Sequence, residues 1–368
     1  MRFSQKGNSV VLQQVALGDY RQAFLELLSR RLEGRLQILT GKEYFQSNIT
    51  TGVHLPGHLR SIGNFFILGR RLVIQPSTVA PCISARTVVL ELNPRNLTAW
   101  LVAITRRVLG RKTVLWGHAW PRSGAGSRSD LLRGLMRSLG TVIVVYTESQ
   151  RKDLLLRMPN KLILAAPNAI YSAKEMRPVA GGSRRDFIYV GRLVKEKKVD
   201  LLLQSFAQVI HGTRESSARL IIVGEGPEKQ HLLHLCSALN LNPTVDFRGH
   251  VSCLQALRGF YETALASVSP GGVGLALTQS LGFGVPMILA DNERHGPEFE
   301  AAAPSRNVLL FEAGNPEALA DAMRRMLQES RQWIARAESI SAGCRSAYSA
   351  EAMADKMFEA IELAESCS

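Results

Sequence analysis

Apolar runs rich in β-branched residues recur along the whole 368-residue chain, and each is separated from the next by a segment long enough for a helix. They fall at residues 10–15, 36–40, 71–75, 87–92, 113–116, 141–146 and 162–165, then at 187–190, 219–223, 245–247, 264–268, 286–290 and 307–311. A strand with one wet face alternates apolar and polar residues, whereas a strand covered on both faces reads as a continuous apolar run. The pattern therefore predicts α/β architecture: parallel sheets with helices on both sides, in two doubly wound, Rossmann-like domains. The chain is also longer than one core of usual size supports. Residues 178–186, PVAGGSRRD, break structure with Pro, Gly and Ser and are expected to link a domain at 1–178 to one at 179–368.

The chain is 46% hydrophobic and 21% charged, with a mean hydropathy of +0.01, which fits a globular protein with large cores. The apolar run at residues 97–105 is cut by Arg106 and Arg107, far short of the roughly 20 apolar residues a membrane span needs. The first residues, MRFSQKGNSVVLQQV, lack the long apolar segment of a secretory signal, so a cytoplasmic location is expected. There the sequons at Asn48 and Asn96 have no meaning, and the scattered Cys82, Cys236, Cys253, Cys344 and Cys367 read as reduced thiols, not as disulfide or zinc positions.

Charge divides the chain unevenly. Residues 1–180 hold 26 Lys and Arg against 9 Asp and Glu, a balance of +17, so the remainder carries −3 of the overall +14. A basic front half suits an anionic partner such as a phospholipid surface or nucleic acid, although a solvated basic face reads the same way. Nucleic acid is disfavoured: there is no zinc finger or aromatic RNP-like strand, and only 7% of residues are aromatic.

Residues 187–206, FIYVGRLVKEKKVDLLLQSF, run from an apolar strand through a glycine turn and a cluster of cations into an amphipathic helix. Gly191 allows the turn, and Arg192 and Lys197 stand near the helix start, where cations and unpaired N–H groups favour a phosphate or diphosphate. By composition alone the segment also fits a solvated basic turn.

Here the chain resembles the retaining family 4 glycosyltransferases of GT-B fold, also described as glycosyl transferase group 1. The residues that carry the resemblance are Gly191, Arg192, Leu193, Glu196 and Lys197; Val223 to Pro227, VGEGP; Phe247, Arg248 and Gly249; and SPGGVGLALTQSLGFGVP at 269–286. In the front half it is looser, resting on Asp19, Tyr20 and Arg21, on Trp116, Gly117 and His118, and on Pro167 and Asn168. Three departures stand out. Lys198 replaces a family glycine, and the two family glutamates spaced eight residues apart are here Gly271 and Gln279.

What the resemblance implies is two domains facing a cleft, with the last helix packing back on the first domain, and transfer of a sugar from a nucleotide-diphosphate sugar with retention at the anomeric carbon. Arg192 and Lys197 would stabilise charge on the departing diphosphate, and His118 would contact the sugar. Gly191, Gly271, Gly272, Val273, Gly274, Leu275, Gln279, Glu298 and Arg248 would hold the donor, with Arg248 and Glu298 equally readable as a solvated cation and a helix-start carboxylate. Gln279 keeps an amide oxygen for a ribose hydroxyl but not the charge-assisted bond of a carboxylate. Trp120, Arg122 and Ser123 are candidate acceptor contacts or plain surface. No D-x-D triplet occurs, so no metal and no other cofactor is expected.

The expected function is transfer to a lipid-linked or glycan acceptor in polysaccharide or glycoconjugate assembly, at the inner face of the membrane. Apolar residues mixed with cations at 96–110 and 131–140 would lie on an anionic leaflet, or simply face a core. The alternatives are a catalytically silent GT-B binding subunit, which the missing glutamates suggest, and a polyanion-binding protein.

Overall fold

The computed structural model describes residues 10–46, 49–121, 124–180, 184–212 and 217–367. The chain divides into two compact units, residues 1–172 with 350–368, and residues 173–349. In the first unit the chain runs β1 (Val10–Gln14), α1 (Gln22–Arg31), β2 (Leu36–Thr40), β3 (Leu59–Ser61), β4 (Phe65–Ile67), β5 (Leu72–Ile74), α2 (Val79–Ser84), β6 (Thr87–Glu91), α3 (Leu97–Val108), β7 (Lys112–Trp116), α4 (Arg128–Leu139), β8 (Val142–Val145), α5 (Glu148–Arg157) and β9 (Leu162–Ala165). The second unit follows with β10 (Asp186–Val190), α6 (Val199–Gly212), β11 (Leu220–Val223), α7 (Lys229–Ala238), β12 (Val245–Gly249), α8 (Leu254–Glu262), β13 (Ala264–Ser269), α9 (Ala276–Gly282), β14 (Met287–Ala290), β15 (Val308–Phe311), α10 (Pro316–Gln328), α11 (Ser330–Ala335) and α12 (Ala337–Tyr348). The last helix, α13 (Ala350–Ser366), belongs to the first unit.

Among the described residues the first unit holds a seven-stranded parallel sheet in the order β3-β2-β1-β6-β7-β8-β9. Its strands feed two cores in alternation. Val10, Leu12, Val89, Val114 and Trp116 point to one face with Phe24, Leu25 and Leu28 of α1 and Met353, Met357 and Ile361 of α13. Val11, Val88, Leu90, Leu115 and Ile143 point to the other with Ala99, Val102 and Ala103 of α3, Met136 of α4 and Leu154 of α5. Two covered faces are why these strands are apolar over most of their length, with Gln13, Thr40, Thr87 and Thr113 among the polar residues buried along with them.

The run at 71–75 departs from expectation. Its central residues form β5, which pairs antiparallel with β4 outside the parallel sheet. The hairpin turns through Leu68, Gly69 and Arg70, all at positive φ, which folds β5 back antiparallel onto β4. The cations that interrupt the apolar run of α3 also differ in fate. Arg106 is fully buried, its guanidinium donating to the carbonyls of Cys82 (2.7 Å), Ala85 (2.8 Å) and Arg86 (2.9 Å), while Arg107 is exposed.

The second unit's six parallel strands lie in the order β12-β11-β10-β13-β14-β15. Residues on either side of 181–183, which fall outside the described set, are fastened within this unit. The Val179 N–H donates to the Phe283 carbonyl (3.0 Å), and the Arg184 guanidinium returns to the Val179 carbonyl (2.6 Å). Strand order reverses direction between β10 and β13 here, and between β1 and β6 in the first unit. Chains leaving the carboxyl ends of such neighbouring strands diverge to opposite sides of the sheet and leave a crevice, where open α/β sheets take ligands.

Candidate functional site

The reversal point of the second unit gathers the glycine-rich and cationic segments. The loop after β10 carries Gly191 and Arg192 into a 3-10 turn at Lys195–Lys197, and the loop after β13 carries Gly271 to Leu275 into α9. The Lys197 Nζ donates to the Gly272 carbonyl, so the two loops are tied together. Arg192 is exposed beside it. Burial, then the neighbouring Arg192 charge, hold the Lys197 ammonium below the usual lysine range, against the opposing pull of Glu298 and Glu196.

Close backbone contact explains the two glycines at the start of the second loop. A Cβ on Gly271 would stand 2.3 Å from the Glu196 carbonyl oxygen, and one on Gly272 would stand 2.4 Å from that of Arg294. The position at which the family resemblance expects a glutamate is therefore closed to any side chain. The Lys198 substitution is accommodated differently. Its φ of 51° is the left-handed conformation that favours glycine, and its ammonium pairs with the half-buried Glu293 carboxylate.

The loop's far side rests on a residue that sequence reasoning passed over. The Val273 N–H donates to Nδ1 of His295 (3.2 Å), whose Nε2 in turn faces the Ala290 carbonyl (3.1 Å), and the ring stacks on Phe299 with centroids 4.0 Å apart. With Nδ1 accepting, the proton sits on Nε2 and the ring is neutral. Burial pushes its pKa down from 6.5. The sequence signal for it is the segment HGPEFE at 295–300, which places a histidine three residues before Glu298.

Glu298 is buried in the 3-10 turn Pro297–Ala301, and a Cβ on Gly274 would lie 3.7 Å from its Oε2. Among the described residues neither the Gly274 nor the Leu275 N–H donates to a protein acceptor. Gln279, on α9, is 6% exposed, and its amide nitrogen donates to the fully buried Tyr261 hydroxyl (3.0 Å). Arg248 is on the edge strand β12, paired with Asp246 and lying over the Phe260 ring at 5.3 Å, so it does not join the loop cluster.

In the first unit the weak front-half motifs converge at the carboxyl ends of the strands. Arg21, 7% exposed, lies 4.3 Å over the Trp116 ring and donates to the Asn168 side-chain oxygen (3.0 Å) and the Tyr146 hydroxyl (3.3 Å). The His118 ring stands edge-on to Tyr146, centroids 4.7 Å apart, and is exposed. Arg21, Tyr146 and Asn168 thus accompany His118, although no local pattern in the sequence connects them. Trp120 is half-buried between the guanidinium groups of Arg157 (4.4 Å) and Arg137 (4.9 Å), which share Asp130. Arg122 and Ser123 lie outside the described residues.

Residues 184–329 match the family model described as Glycosyl transferases group 1. The chain is 27% identical over 147 residues to the N-acetyl-alpha-D-glucosaminyl L-malate synthase of Bacillus anthracis, a match covering 40% of this chain and 37% of that protein. It is 31% identical over 108 residues to the GtfA subunit of the UDP-N-acetylglucosamine–peptide N-acetylglucosaminyltransferase of Streptococcus parasanguinis, covering 29% of this chain and 21% of that one. The chain therefore spans well under half the length of these two relatives. Among solved structures, Anabaena Alr3699/HepE in complex with UDP superposes with a TM-score of 0.70 at 14% identity, covering 96% of this chain and 99% of that one. A glycosyltransferase from Rickettsia africae gives a TM-score of 0.70 at 12% identity, covering 99% and 100%. At such identities the likeness is one of fold: two parallel-sheet α/β units in the GT-B arrangement of strands and helices.

Proposed function

We propose that this chain is a retaining glycosyltransferase that moves a sugar from a nucleoside-diphosphate sugar to a glycan or lipid-linked acceptor in polysaccharide or glycoconjugate assembly. The observation that carries the reading is the tie between Lys197 and Gly272. It holds a cation, with Arg192 beside it and the N–H groups of Gly274 and Leu275 available, at the reversal point of the second sheet. During transfer the bond from the anomeric carbon to the phosphate oxygen breaks and its electron pair stays on the diphosphate. The acceptor hydroxyl oxygen bonds to that carbon, and its proton passes to a phosphate oxygen. Arg192 and Lys197 act where the negative charge develops, so they favour the transition state over the bound donor. The reading also draws on the match of this unit to group 1 glycosyl transferases and on the UDP bound by the structurally similar Anabaena protein.

In this proposal Gly191, Gly271, Gly272, Val273, Gly274, Leu275, Gln279 and Glu298 surround the donor, His118 serves the sugar, and Trp120 and Arg122 are proposed acceptor-binding residues. Charge compensation by side chains and amides leaves no task for a metal, so turnover is proposed to survive a chelator; complete loss that added metal restores would overturn that part. The basic first unit is proposed to hold the protein at the inner face of an anionic membrane.

A second reading, a silent GT-B binding subunit, draws on Gly271, where no carboxylate fits, and on Gln279, whose amide nitrogen is engaged by Tyr261. Thermal-shift titration against nucleoside diphosphates and their sugars, followed by turnover assays with the sugars that bind, separates the two. Binding with turnover supports the transferase, binding with no transfer or donor hydrolysis supports the silent subunit, and absence of nucleotide binding removes both.

A further inference from the structure

The strands β6, β7, β8 and β9 follow one another across the first sheet, so right-handed crossovers lay α3, α4 and α5 side by side on one face. All three contribute to the core on that face, and their opposite sides point away from the sheet. Such outward sides are ordinarily polar. On α3, however, Leu101, Ile104 and Val108 fall on one stripe and are 53%, 47% and 81% exposed. On α4, which packs against α3, Leu131, Leu132 and Leu135 are 72%, 54% and 61% exposed. These are large aliphatic groups concentrated on two adjoining helices, not scattered singly.

Cations stand at the same helix ends. The Lys161 ammonium donates to the Ser138 carbonyl near the end of α4 (3.2 Å), and burial, then the like charge of Arg107 near the end of α3, lowers its proton affinity. Among the described residues neither Arg107 nor Lys161 pairs with a carboxylate. The surrounding segment 97–165 holds 12 Lys and Arg against 3 Asp and Glu. A second copy of the chain docked through this surface would bring these cations toward their own counterparts. An anionic lipid leaflet covers the aliphatic groups and neutralises the cations together.

We infer that the outer face of α3 and α4 is a lipid-docking surface, with both helices lying in the plane of an anionic leaflet, the aliphatic stripe in the acyl boundary and Arg107 and Lys161 at the headgroups. This deepens the membrane part of the function proposed above, on which it rests, and it names the surface and its partner.

The test is co-sedimentation of the full chain with phosphatidylcholine vesicles, with and without phosphatidylglycerol, at low and high salt. The wild type should bind the anionic vesicles and be weakened by salt. A variant combining Ile104→Ser, Val108→Ser, Leu131→Ser and Leu135→Ser should lose about tenfold or more in vesicle affinity at either salt. Arg107→Glu with Lys161→Glu should lose about 30-fold on anionic vesicles and show a weaker salt dependence than the wild type. Melting curves check folding; if the aliphatic variant melts early, the charge variant decides. Arg192→Ala should bind vesicles as the wild type does, so failure of the transferase reading leaves this result standing. Transfer by a wild type that binds no vesicle overturns the surface and leaves the transferase reading intact. Equal binding to both vesicle types, wild-type binding by the charge variant, or a solution dimer that the aliphatic variant dissociates each overturns the proposal.

Discussion

Lys197 reaches across from the loop after β10 to the carbonyl of Gly272 in the loop after β13, so one cation both fastens the two loops and stands where a diphosphate is proposed to leave. Arg192, its exposed neighbour, has no such structural duty. The two should therefore separate on substitution. Arg192→Ala is expected to lower kcat by about 100-fold with the melting temperature unchanged, whereas Lys197→Ala should lower kcat similarly and also cost about 1 kcal/mol of stability. Steady-state kinetics with the identified donor, beside thermal melts, check both; wild-type turnover in either variant removes that residue from the proposed chemistry.

A second consequence concerns alkaline pH. In the free protein burial and Arg192 hold Lys197 below the ordinary lysine value of 10.5, and a bound diphosphate would draw its pKa back up. Binding then takes up a proton in the window between the free and bound values. Affinity for the nucleoside diphosphate should accordingly begin to fall with rising pH before 10.5 is reached. Calorimetry in buffers of different ionisation enthalpy measures the uptake, and Lys197→Met should abolish it. An uptake that survives Lys197→Met assigns the proton to another group.

His295 sets an acid limit. Its folded pKa is depressed below 6.5, so the unfolded chain binds the extra proton first; the contribution is fully present above 6.5 and is lost as pH falls through the folded value. Protonating Nδ1 also breaks the bond from the Val273 N–H. The melting temperature of the wild type should decline below pH 6.5 by more than that of His295→Asn, which cannot titrate. Parallel melting profiles for the two proteins would show that His295 does not titrate there.

The closed position at Gly271 gives a prediction about restoring the family residue. Gly271→Glu should not create or raise activity, because its Cβ would press on the Glu196 carbonyl at 2.3 Å, and it should destabilise the fold by about 1–3 kcal/mol. A variant that melts normally and turns over faster would show that the loop has room after all.

Gln279 joins packing to a proposed ligand role. Gln279→Ala leaves the Tyr261 hydroxyl without this donor and is expected to cost about 1–3 kcal/mol of stability. If its amide oxygen also takes a ribose hydroxyl, nucleotide affinity should fall by a further ~1–2 kcal/mol, while Gln279→Glu should change affinity by less than about tenfold. Titration calorimetry on the folded variants separates the two roles; unchanged affinity in both leaves Gln279 a core residue alone.

Local residue patterns are enough to read the alternation of strand and helix, and therefore the fold class. A strand covered on both faces is apolar over most of its length, so the runs at 36–40 and 162–165 coincide with β2 and β9. Such patterns also single out Gly191, Arg192, Lys197 and the 271–275 loop, because turn glycines and clustered cations are local features. Tertiary structure decided what depends on contacts between distant segments. Strand order put the two loops at one reversal point, the backbones of Glu196 and Arg294 closed the space above Gly271 and Gly272, and His295 came under Val273. Arg106 and Arg107 are adjacent and chemically identical, yet one is buried against carbonyls at the ends of neighbouring elements and the other is left beside Lys161. Which side of a helix meets the sheet is set by packing, and only that packing turned the apolar residues of α3 and α4 outward.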